Sequence, residues 1–422
     1  MRPLLFLVVA ATGCGDDYSS SNGPDMAVPI GGPTLPSTMV SKSKESLIEA
    51  ETDLVAAAHG VVAIAYNAQT NGPGFIGYAF SRDDGTTWEK PQAEHSPKAL
   101  SASDPVMAVD GKNNIYLAWI GFNSGTQPPS NYHVYAAVAP AGTTAFGSPV
   151  EVNQGTGAYD KPWITLAGDG AVLITYTKMS TGGIYAARSS DGMSWDNHVV
   201  AEGNGFRNLA FPCHPTSGPR MYVVYHSGIG VRLSWSDDHG VTWDGETEVV
   251  PIEDGKPAFV DPNCAADGNE VWITYGSTID PPGMGNQESA KLNGIRIAHS
   301  NDGGKTIDWV ADAQDAQATD LYMLPALVRE PVSGALDLVY FAGNFEGDKK
   351  GSLRRSRSTD GGKSWIPSLS IRDSITFIVD RTTPNWLGDY LGLRWARGNL
   401  YVSFTDNSKG TSHISFYRTA VP

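Results

Sequence analysis

The sequence predicts an all-β fold, a single β-propeller built from four-stranded antiparallel blades. One observation is a short turn motif that recurs five times, and a second is a longer unit of consecutive strands that recurs seven times. The third is that no long segment shows helical periodicity, although Gly, Trp and Tyr are abundant. Radial repetition of such units is typical of β-propellers, so we predict seven blades, with six as the alternative.

The turn motif follows the pattern Ser-x-Asp-x-Gly-x-Ser/Thr-Trp and is called the repeat turn below. Its copies span residues 81–88, 236–243 and 358–365, with Ile307 in the Trp position of the copy at 300–307 and one residue fewer in the copy at 189–195. The Asp and Ser oxygens can accept hydrogen bonds from nearby amides, and Gly allows a positive φ. We predict a structural role between the third and fourth strands of a blade for Asp83, Trp88, Asp191, Trp195, Asp238, Trp243, Asp302, Asp360 and Trp365.

The longer unit opens with a short strand, turns, and continues through a second apolar strand that ends in an aromatic residue. Its seven opening strands lie at residues 51–53, 104–105, 160–162, 211–213, 261–264, 324–325 and 388–390. The seventh unit reaches Pro422 without a fourth strand. We predict that residues 39–48 supply it, because pairing the two ends of the chain would close the ring and remove free sheet edges.

The first residues predict export from the cytosol. Arg2 precedes an apolar run at residues 4–11 that is too short to span a bilayer, so residues 1–13 are interpreted as a signal peptide. The stretch ending at Cys14 resembles the lipobox of bacterial lipoproteins, which implies lipidation of Cys14. Residues 14–38 are then a flexible tether, and residues 39–422 are the propeller. We expect a lipid-anchored protein of a bacterial cell envelope, periplasmic or on the outer surface, with secretion as the alternative.

Charge and cysteine usage restrict the partners and predict one cross-link. The net charge of −15 argues against nucleic acid or an acidic membrane surface, so we expect membrane contact only through the N-terminal lipid, and a monomer. Outside the cytosol a pair of cysteines suggests a disulfide. Cys213 and Cys264 occupy matching positions on adjacent opening strands. We predict a disulfide between the fourth and fifth blades, with two buried free thiols as the alternative.

The repeat turns resemble the Asp-box, or BNR, repeat of the sialidase superfamily. The resemblance implies a propeller fold but no single activity, because Asp-box propellers include sialidases, other glycoside hydrolases, sorting receptors and assembly factors. Sialidases are similar to one another in an Arg ahead of the first repeat, whereas this chain has no Arg between Arg2 and Arg82. The equivalent strand carries Glu51 and Asp53, and seven blades would depart from the six of that family. No catalytic residue is therefore carried over.

The opening strands predict a ring of carboxylates at one mouth of the central channel, because the first strand of each blade lines that channel. We predict ligand binding there by Glu51, Asp53, Asp104, Asp160, Lys161, Arg207, Asp261, Asp389 and Tyr390. Such a ring would repel a sialic acid carboxylate and attract an amine or Ca²⁺, for which Asp104, Asp261 and Asp389 are candidate ligands. The alternative is that these Asp residues only bond to strand starts and turn amides.

Three functions remain open from the sequence. The leading hypothesis is a cell-envelope lipoprotein that binds a glycan or protein ligand at its channel mouth. The alternatives are a glycoside hydrolase of exo-α-sialidase type and a structural or assembly scaffold. An Arg cluster at the mouth would favour the sialidase, an acidic ring with a bound ion would favour binding, and a closed channel would favour the scaffold.

Overall fold

The computed structural model describes residues 34–41, 48–69, 71–123, 130–155, 157–203, 205, 207–228, 230–249, 262–278, 292–313, 321–344, 349–376 and 386–420. Within them, the strands form seven four-stranded antiparallel sheets arranged as the blades of a ring. The predicted all-β propeller with seven blades is confirmed, and the six-blade alternative is wrong. The predicted signal peptide, residues 1–13, and the predicted lipidation site, Cys14, lie outside the described residues. Across the described ranges, no helix has the length and apolar character needed to cross a membrane.

Each blade is given from its inner to its outer strand. Blade 1 is β2 (Ile48–Ala56), β3 (Val62–Gln69), β4 (Phe75–Ser81) and β5 (Gln92–Glu94), with a 3₁₀ turn at Ala58–Gly60. Blade 2 is β6 (Ser101–Val109), β7 (Ile115–Asn123), β8 (Ser130–Ala139) and β9 (Val150–Glu151). Blade 3 is β10 (Tyr159–Leu166), β11 (Val172–Lys178), β12 (Gly183–Ser189) and β13 (Asp196–Ala201). Blade 4 is β14 (Arg207–Cys213), β15 (Met221–Ser227), β16 (Gly230–Ser236) and β17 (Asp244–Glu248). Blade 5 is β18 (Asn263–Asp267), β19 (Glu270–Thr278), β20 (Leu292–Ser300) and β21 (Trp309–Asp312). Blade 6 is β22 (Leu321–Arg329), β23 (Leu336–Gly343), β24 (Lys350–Ser358) and β25 (Leu369–Thr376). Blade 7 is β26 (Gly392–Ala396), β27 (Asn399–Asp406), β28 (His413–Ala420) and β1 (Thr34–Met39).

The hydrophobic core is divided among the spaces between adjacent blades. Consecutive inner strands contact one another around the ring, and β26 of blade 7 returns to β2 of blade 1. Trp119 of blade 2 and Phe80 of blade 1, for example, are fully buried in one shared cluster. Truncating a buried aromatic of this kind typically costs about 3–5 kcal/mol, so the inter-blade spaces hold the ring together.

The ring has two distinct ends. Every inner strand begins at one end, called the front face, and finishes at the other, called the back face. Because the strands of a blade alternate in direction, every third strand also finishes at the back face, where the repeat turns lie. The strand ends that flank two undescribed segments, 250–261 and 279–291, lie at the front face.

The repeat turns are held by a local set of hydrogen bonds. In the first copy, the hydroxyl of Ser81 donates to Asp83 Oδ1 at 2.8 Å and accepts the Gly85 amide at 2.8 Å. Thr87 donates its hydroxyl to Asp83 Oδ2 at 2.7 Å and its amide to Oδ1 at 2.8 Å, and these bonds lower the pKa of Asp83. The Asp residues with corresponding bonds are Asp191, Asp238, Asp302 and Asp360.

Each repeat turn packs against the preceding blade. A side chain at Gly85 of blade 1 would overlap the ring of Phe416 of blade 7, and Trp88 lies 5.2 Å from the same ring, centroid to centroid. The corresponding glycines of blades 3 to 6 meet side chains of blades 2 to 5: Gly192, Gly240, Gly304 and Gly362. The motif tryptophans join inter-blade clusters: Trp88, Trp195, Trp243 and Trp365. Blade 2 lacks the motif, and Phe146 contacts Tyr78 of blade 1 instead, at 5.0 Å.

The two ends of the chain close the ring in blade 7. Strand β1 pairs with β28 in antiparallel register, so the N-terminal strand completes a sheet whose other strands are C-terminal. The predicted placement of this strand at residues 39–48 is wrong, because the strand is Thr34–Met39. A charged contact supports the closure: Asp84 of blade 1 pairs with Arg397 and, at 3.3 Å, with Arg418 of blade 7.

A disulfide joins Cys213 to Cys264, as predicted, with their Cα atoms 5.8 Å apart. It links the inner strands of blades 4 and 5. A cross-link of this kind typically stabilises a protein by about 2–4 kcal/mol, mainly by restricting the unfolded chain.

Candidate functional site

Five inner strands share a β-bulge near the front face. The residue at each bulge has a positive φ although none is glycine: Glu51, Asp104, Lys161, Leu209 and Leu324. Left-handed backbone costs about 1–2 kcal/mol for a residue with a side chain, so the surrounding sheet must hold it. A bulge redirects the side chain of its extra residue. In blade 4 that residue is Leu209, so an alignment of Phe211 with Glu51, which the repeat spacing suggests, is wrong.

At the bulge of blade 3, Lys161 meets three carboxylates, from blades 7, 1 and 2. Its Nζ lies 2.7 Å from Asp389 Oδ2, 3.0 Å from Glu51 Oε1 and 3.5 Å from Asp104 Oδ1. Lys161, Glu51 and Asp104 are buried, whereas the Asp389 side chain is 19% exposed. These four residues are called the lysine cluster. Four of the predicted site residues therefore converge at the front mouth of the channel.

Asn67, on the second strand of blade 1, connects two of the bulged residues. Its side-chain amide donates to Glu51 and, at 3.0 Å, to Ser103 Oγ, while its Oδ1 accepts the Asp104 amide at 2.8 Å. Ser103 in turn donates to Asp104 Oδ1 at 3.1 Å. Sequence reasoning missed Asn67. The available signal was its position directly after Tyr66, the aromatic residue of the repeat pattern, although the strand itself continues to Gln69.

Asp160 lies beside the lysine cluster and is half-buried. Its Oδ1 accepts the Lys161 amide at 2.9 Å. Burial raises the pKa of Asp160 to about 7, and the negative charge of Asp104 adds to this, although Lys161 opposes it. At neutral pH the mouth therefore holds a carboxyl group that readily gains or loses a proton.

Three aromatic rings, called the aromatic plug, close the channel behind the lysine cluster. The Lys161 ammonium lies 5.9 Å from the ring centroid of Tyr390, whose hydroxyl donates to the Pro105 carbonyl at 3.0 Å. Tyr390 packs on Trp163 at 4.9 Å, and Trp163 packs on Phe211 at 4.7 Å, all with tilted rings. Tyr390 is buried, so in this structure it forms the floor of the mouth.

A stacked pair of half-buried aromatic rings flanks the carboxylates. Phe122 and Tyr132, at the front end of blade 2, lie 5.1 Å apart with nearly parallel planes. Burial raises the pKa of Tyr132, and the charges of Asp160 and Asp104 raise it further, so its phenol lies near those carboxylates. Sequence reasoning missed this pair, since neither residue falls on an opening strand.

Three other predicted residues are not part of this cluster. Asp53 is buried and bonds to Arg394 at 2.9 Å and to the amides of Leu54 and Met107, both at 2.8 Å, although burial raises its pKa. Arg207 pairs with Glu246 of its own blade at 2.9 Å. Asp261 lies outside the described residues.

The predicted calcium site is not tested by the structure. Within the described ranges, no three or more His, Cys, Asp and Glu side chains are grouped so that they could hold a metal ion. Asp104 and Asp389 both contact the Lys161 ammonium, and Asp261, the third candidate ligand, lies outside those ranges. Calcium binding stays a prediction.

Two arginines on the third strand of blade 6 are buried around one carboxylate. Arg355 donates twice to Asp337 Oδ1, at 2.9 and 2.7 Å, and Arg357 donates to Oδ2 at 2.5 Å. Trp395 of blade 7 also donates to Oδ2, at 3.0 Å. The bond from Trp395 joins blade 7 to blade 6. Asp337 is fully buried, so this group of charges does not reach the front mouth.

No family model and no curated protein sequence matches the chain. Solved structures do resemble it. A protein of unknown function from Dyadobacter fermentans has a TM-score of 0.56 at 14% identity, covering 92% of this chain and 99% of that one. The NanB sialidase of Streptococcus pneumoniae has a TM-score of 0.51 at 16% identity, covering 93% and 71%.

An α-L-arabinanase of Penicillium chrysogenum, solved with arabinobiose, gives a TM-score of 0.52 at 12% identity, covering 91% of this chain and 98% of that one. Identities this low show a shared fold. The chain therefore shares its overall fold, a β-propeller, with these solved structures.

Proposed function

We propose that the protein binds a carbohydrate at the front mouth of its channel. The observation that carries this proposal is that two partly exposed carboxylates, Asp160 and Asp389, lie at the lysine cluster, and that Asp160 lies near the stacked rings of Phe122 and Tyr132. Carboxylate oxygens accept hydrogen bonds from sugar hydroxyls, and such bonds are stronger than those between neutral groups. The flat face of an aromatic ring covers the C–H face of a sugar.

The charge of the mouth selects among sugars. Among the described residues of the mouth, Lys161 is the one cation beside Glu51, Asp104, Asp160 and Asp389, so acidic groups outnumber it. A neutral sugar or an amino sugar is therefore favoured over an anionic sugar such as a sialic acid.

As part of the same proposal, the propeller is held on a bacterial cell envelope through lipidated Cys14. A membrane-fractionation assay of the Cys14→Ser variant tests that anchor, and unchanged membrane association would contradict it.

Glycoside hydrolysis is the second candidate, and one observation favours it. The pKa of Asp160, about 7, leaves part of the population with a protonated carboxyl beside the carboxyl group of Asp104. Glycosidases generally combine one carboxylic acid that protonates the leaving oxygen with one carboxylate that acts as base or nucleophile. The scaffold hypothesis is the remaining possibility if neither binding nor turnover is found.

A glycan array followed by calorimetry on the purified protein tests binding, and a panel of chromogenic glycosides tests turnover. We expect Asp160→Asn and Tyr132→Ala to weaken binding of the best glycan about tenfold each, since each removes one strong polar or stacking contact. The control is Asp373→Asn on β25, which removes an exposed carboxylate far from the mouth and should leave the affinity unchanged.

The outcomes separate the candidates. Retained binding with loss of glycoside cleavage in Asp160→Asn would assign hydrolysis. Absence of any glycan bound by the folded protein, together with no cleavage, would contradict both candidates and favour the scaffold.

A further inference from the structure

A cavity of about 590 Å³ lies on the axis of the ring, towards the back face. All seven inner strands contribute to its wall. The lining also includes Gly168, Thr216 and Pro331, which follow the ends of their inner strands. The cavity therefore opens at the back face, between the turns that join first and second strands.

This cavity is separate from the front mouth. Trp163 and Phe211 line it, and Tyr390 packs on Trp163 while its ring faces the Lys161 ammonium. The aromatic plug thus stands between the cavity and the lysine cluster. A molecule in the cavity would touch none of the carboxylates assigned to carbohydrate binding.

The wall combines apolar side chains with positive charge. Met107, Ile164, Leu327 and Leu391 are typical of its lining. No Asp or Glu is among the described residues that line it, although the chain as a whole carries a charge of −15. A wall of this kind excludes polar neutral ligands and attracts anions.

The ionisable lining residues are Arg329, Arg394 and His214. Burial lowers the pKa of His214, so it is neutral at pH 7, and the two arginines supply the charge. Arg329, at the end of β22, pairs with Asp267 at 2.5 Å, and that partner is 39% exposed.

Arg394 lies deeper in the cavity, and its side chain is 31% exposed. Its Nη1 donates to the Leu393 carbonyl at 2.8 Å, and its Nη2 donates to Asp53 at 2.9 Å and to the Met107 carbonyl at 3.2 Å. A guanidinium has five N–H groups, so two remain for a ligand.

We propose that the cavity is a second ligand site that binds a small amphiphilic anion, an apolar ring system or chain that carries one anionic group. The apolar body fills the channel, and the positive charges of Arg394 and Arg329 both attract the anionic group. Ligand pockets of about 300–1,000 Å³ bind molecules of this size, and arginine is well suited to carboxylates and related anions.

Two fluorescent probes that differ in charge test the proposal. One is 8-anilino-1-naphthalenesulfonate, and the other is N-phenyl-1-naphthylamine, which has the same ring system without the sulfonate. We expect saturable binding of both to one site per folded chain, with the sulfonate bound more tightly. Arg394→Gln and Arg329→Gln should each weaken sulfonate binding by about tenfold and leave the uncharged probe unaffected.

Matched variants locate the binding. Arg232→Gln removes an arginine of similar exposure, 34%, from a third strand outside the cavity and should change neither affinity. Ala396→Phe places a ring at the cavity wall and should weaken both probes. Asp160→Asn at the front mouth should change neither, which separates this site from the carbohydrate site.

Equal affinity for the two probes, or sulfonate binding that both Arg variants leave unchanged, would overturn the proposal. Arg329→Gln keeps the test decisive if Arg394→Gln fails to fold, because Asp267 remains solvated when its partner is removed. Melting temperatures of all variants, measured alongside, identify any that are unfolded.

Discussion

Lys161 shows how the front mouth keeps several charges in a buried place. Burial alone would lower the pKa of Lys161, but Asp104, Asp389 and Glu51 raise it well above its ordinary value. The ammonium is therefore charged throughout the physiological pH range, and each carboxylate keeps an opposite charge within 3.5 Å. Removing one partner of a buried ion pair typically costs about 3–5 kcal/mol, so the cluster tolerates substitution poorly.

Asp160 should make the stability of the protein depend on pH. Its pKa in the folded state, about 7, lies above the ordinary value of 3.8, so the folded state binds the proton more tightly than the unfolded state. The resulting stabilisation is complete below about pH 4 and is lost as the pH rises through 7. We expect the Asp160→Asn variant to lose less stability than the wild type between pH 4 and pH 8, measured by urea unfolding.

Asn at this position keeps the oxygen that accepts the Lys161 amide, so the comparison isolates the proton. Asp373→Asn, at an exposed position, provides the control and should follow the wild-type curve. If the wild type and Asp160→Asn show parallel stability curves over this pH range, the raised pKa is refuted.

At the level of residues, counting back along the repeats was sufficient to bring Glu51, Asp104, Lys161 and Asp389 into one place. It failed where side-chain direction depends on the bulge. Asp53 lies two residues after Glu51 but bonds to Arg394 of blade 7. In blade 4 the residue that corresponds to Glu51 is Leu209, whereas the repeat spacing aligns Phe211 with Glu51. Asn67 and Tyr132 come from second and third strands, and only the packed blades show that these approach the mouth.

The repeat turn acts as an element that docks one blade on the next. Its Asp and Ser satisfy the amides of the turn locally, so the turn keeps its shape and presents its glycine to the preceding blade. The sequence motif predicted the first of these roles. The second depends on the ring, since the surface that receives the glycine belongs to a different repeat.

Two glycines with nearly the same backbone conformation allow this docking to be tested. Gly85 has a φ of 83° and faces Phe416 of blade 7. Gly142 has a φ of 82° in the corresponding turn of blade 2, and a Cβ at this position would meet no atom within 4 Å. We expect Gly142→Ala to cost about 1–2 kcal/mol through backbone strain alone. Gly85→Ala should cost about 2–4 kcal/mol, because overpacking against Phe416 adds to the strain.

Chemical denaturation of the two variants gives both free energies of unfolding, and Gly142→Ala is the control for the backbone. Equal losses in the two variants would mean that the first repeat turn does not press on blade 7, contrary to the packing described.

The position of the closing strand, β1, could not be predicted from the sequence of that segment. Thr34–Met39 is short and contains Pro36, which weakens any strand signal, and proline is tolerated in strands mainly at sheet edges. Its pairing partner, β28, lies at the other end of the chain, so no local pattern could set its register. The need for a closing strand was evident from the repeat count, but its position was not.

For the whole molecule, closure should control self-association. A variant that begins at residue 42 lacks β1 and leaves the outer edge of β28 unpaired, and exposed edges pair with other chains. We expect this variant to form dimers or larger species by size-exclusion chromatography with light scattering, and to melt at a lower temperature. A matched variant that begins at residue 34 keeps β1 and should elute as a monomer. Monomeric elution and an unchanged melting temperature in the shorter variant would show that β1 is dispensable.

The pairing of β1 with β28 also sets the order of events when the chain folds. Blade 7 contains strands that lie far apart in the sequence, so the ring cannot close until His413–Ala420 pairs with Thr34–Met39. Blades 1 to 6 can form earlier as units of neighbouring strands, since each repeat contacts mainly its neighbours. A chain cut short before His413 would therefore carry an unmatched β1, and this one pairing decides whether the earlier blades become one finished ring.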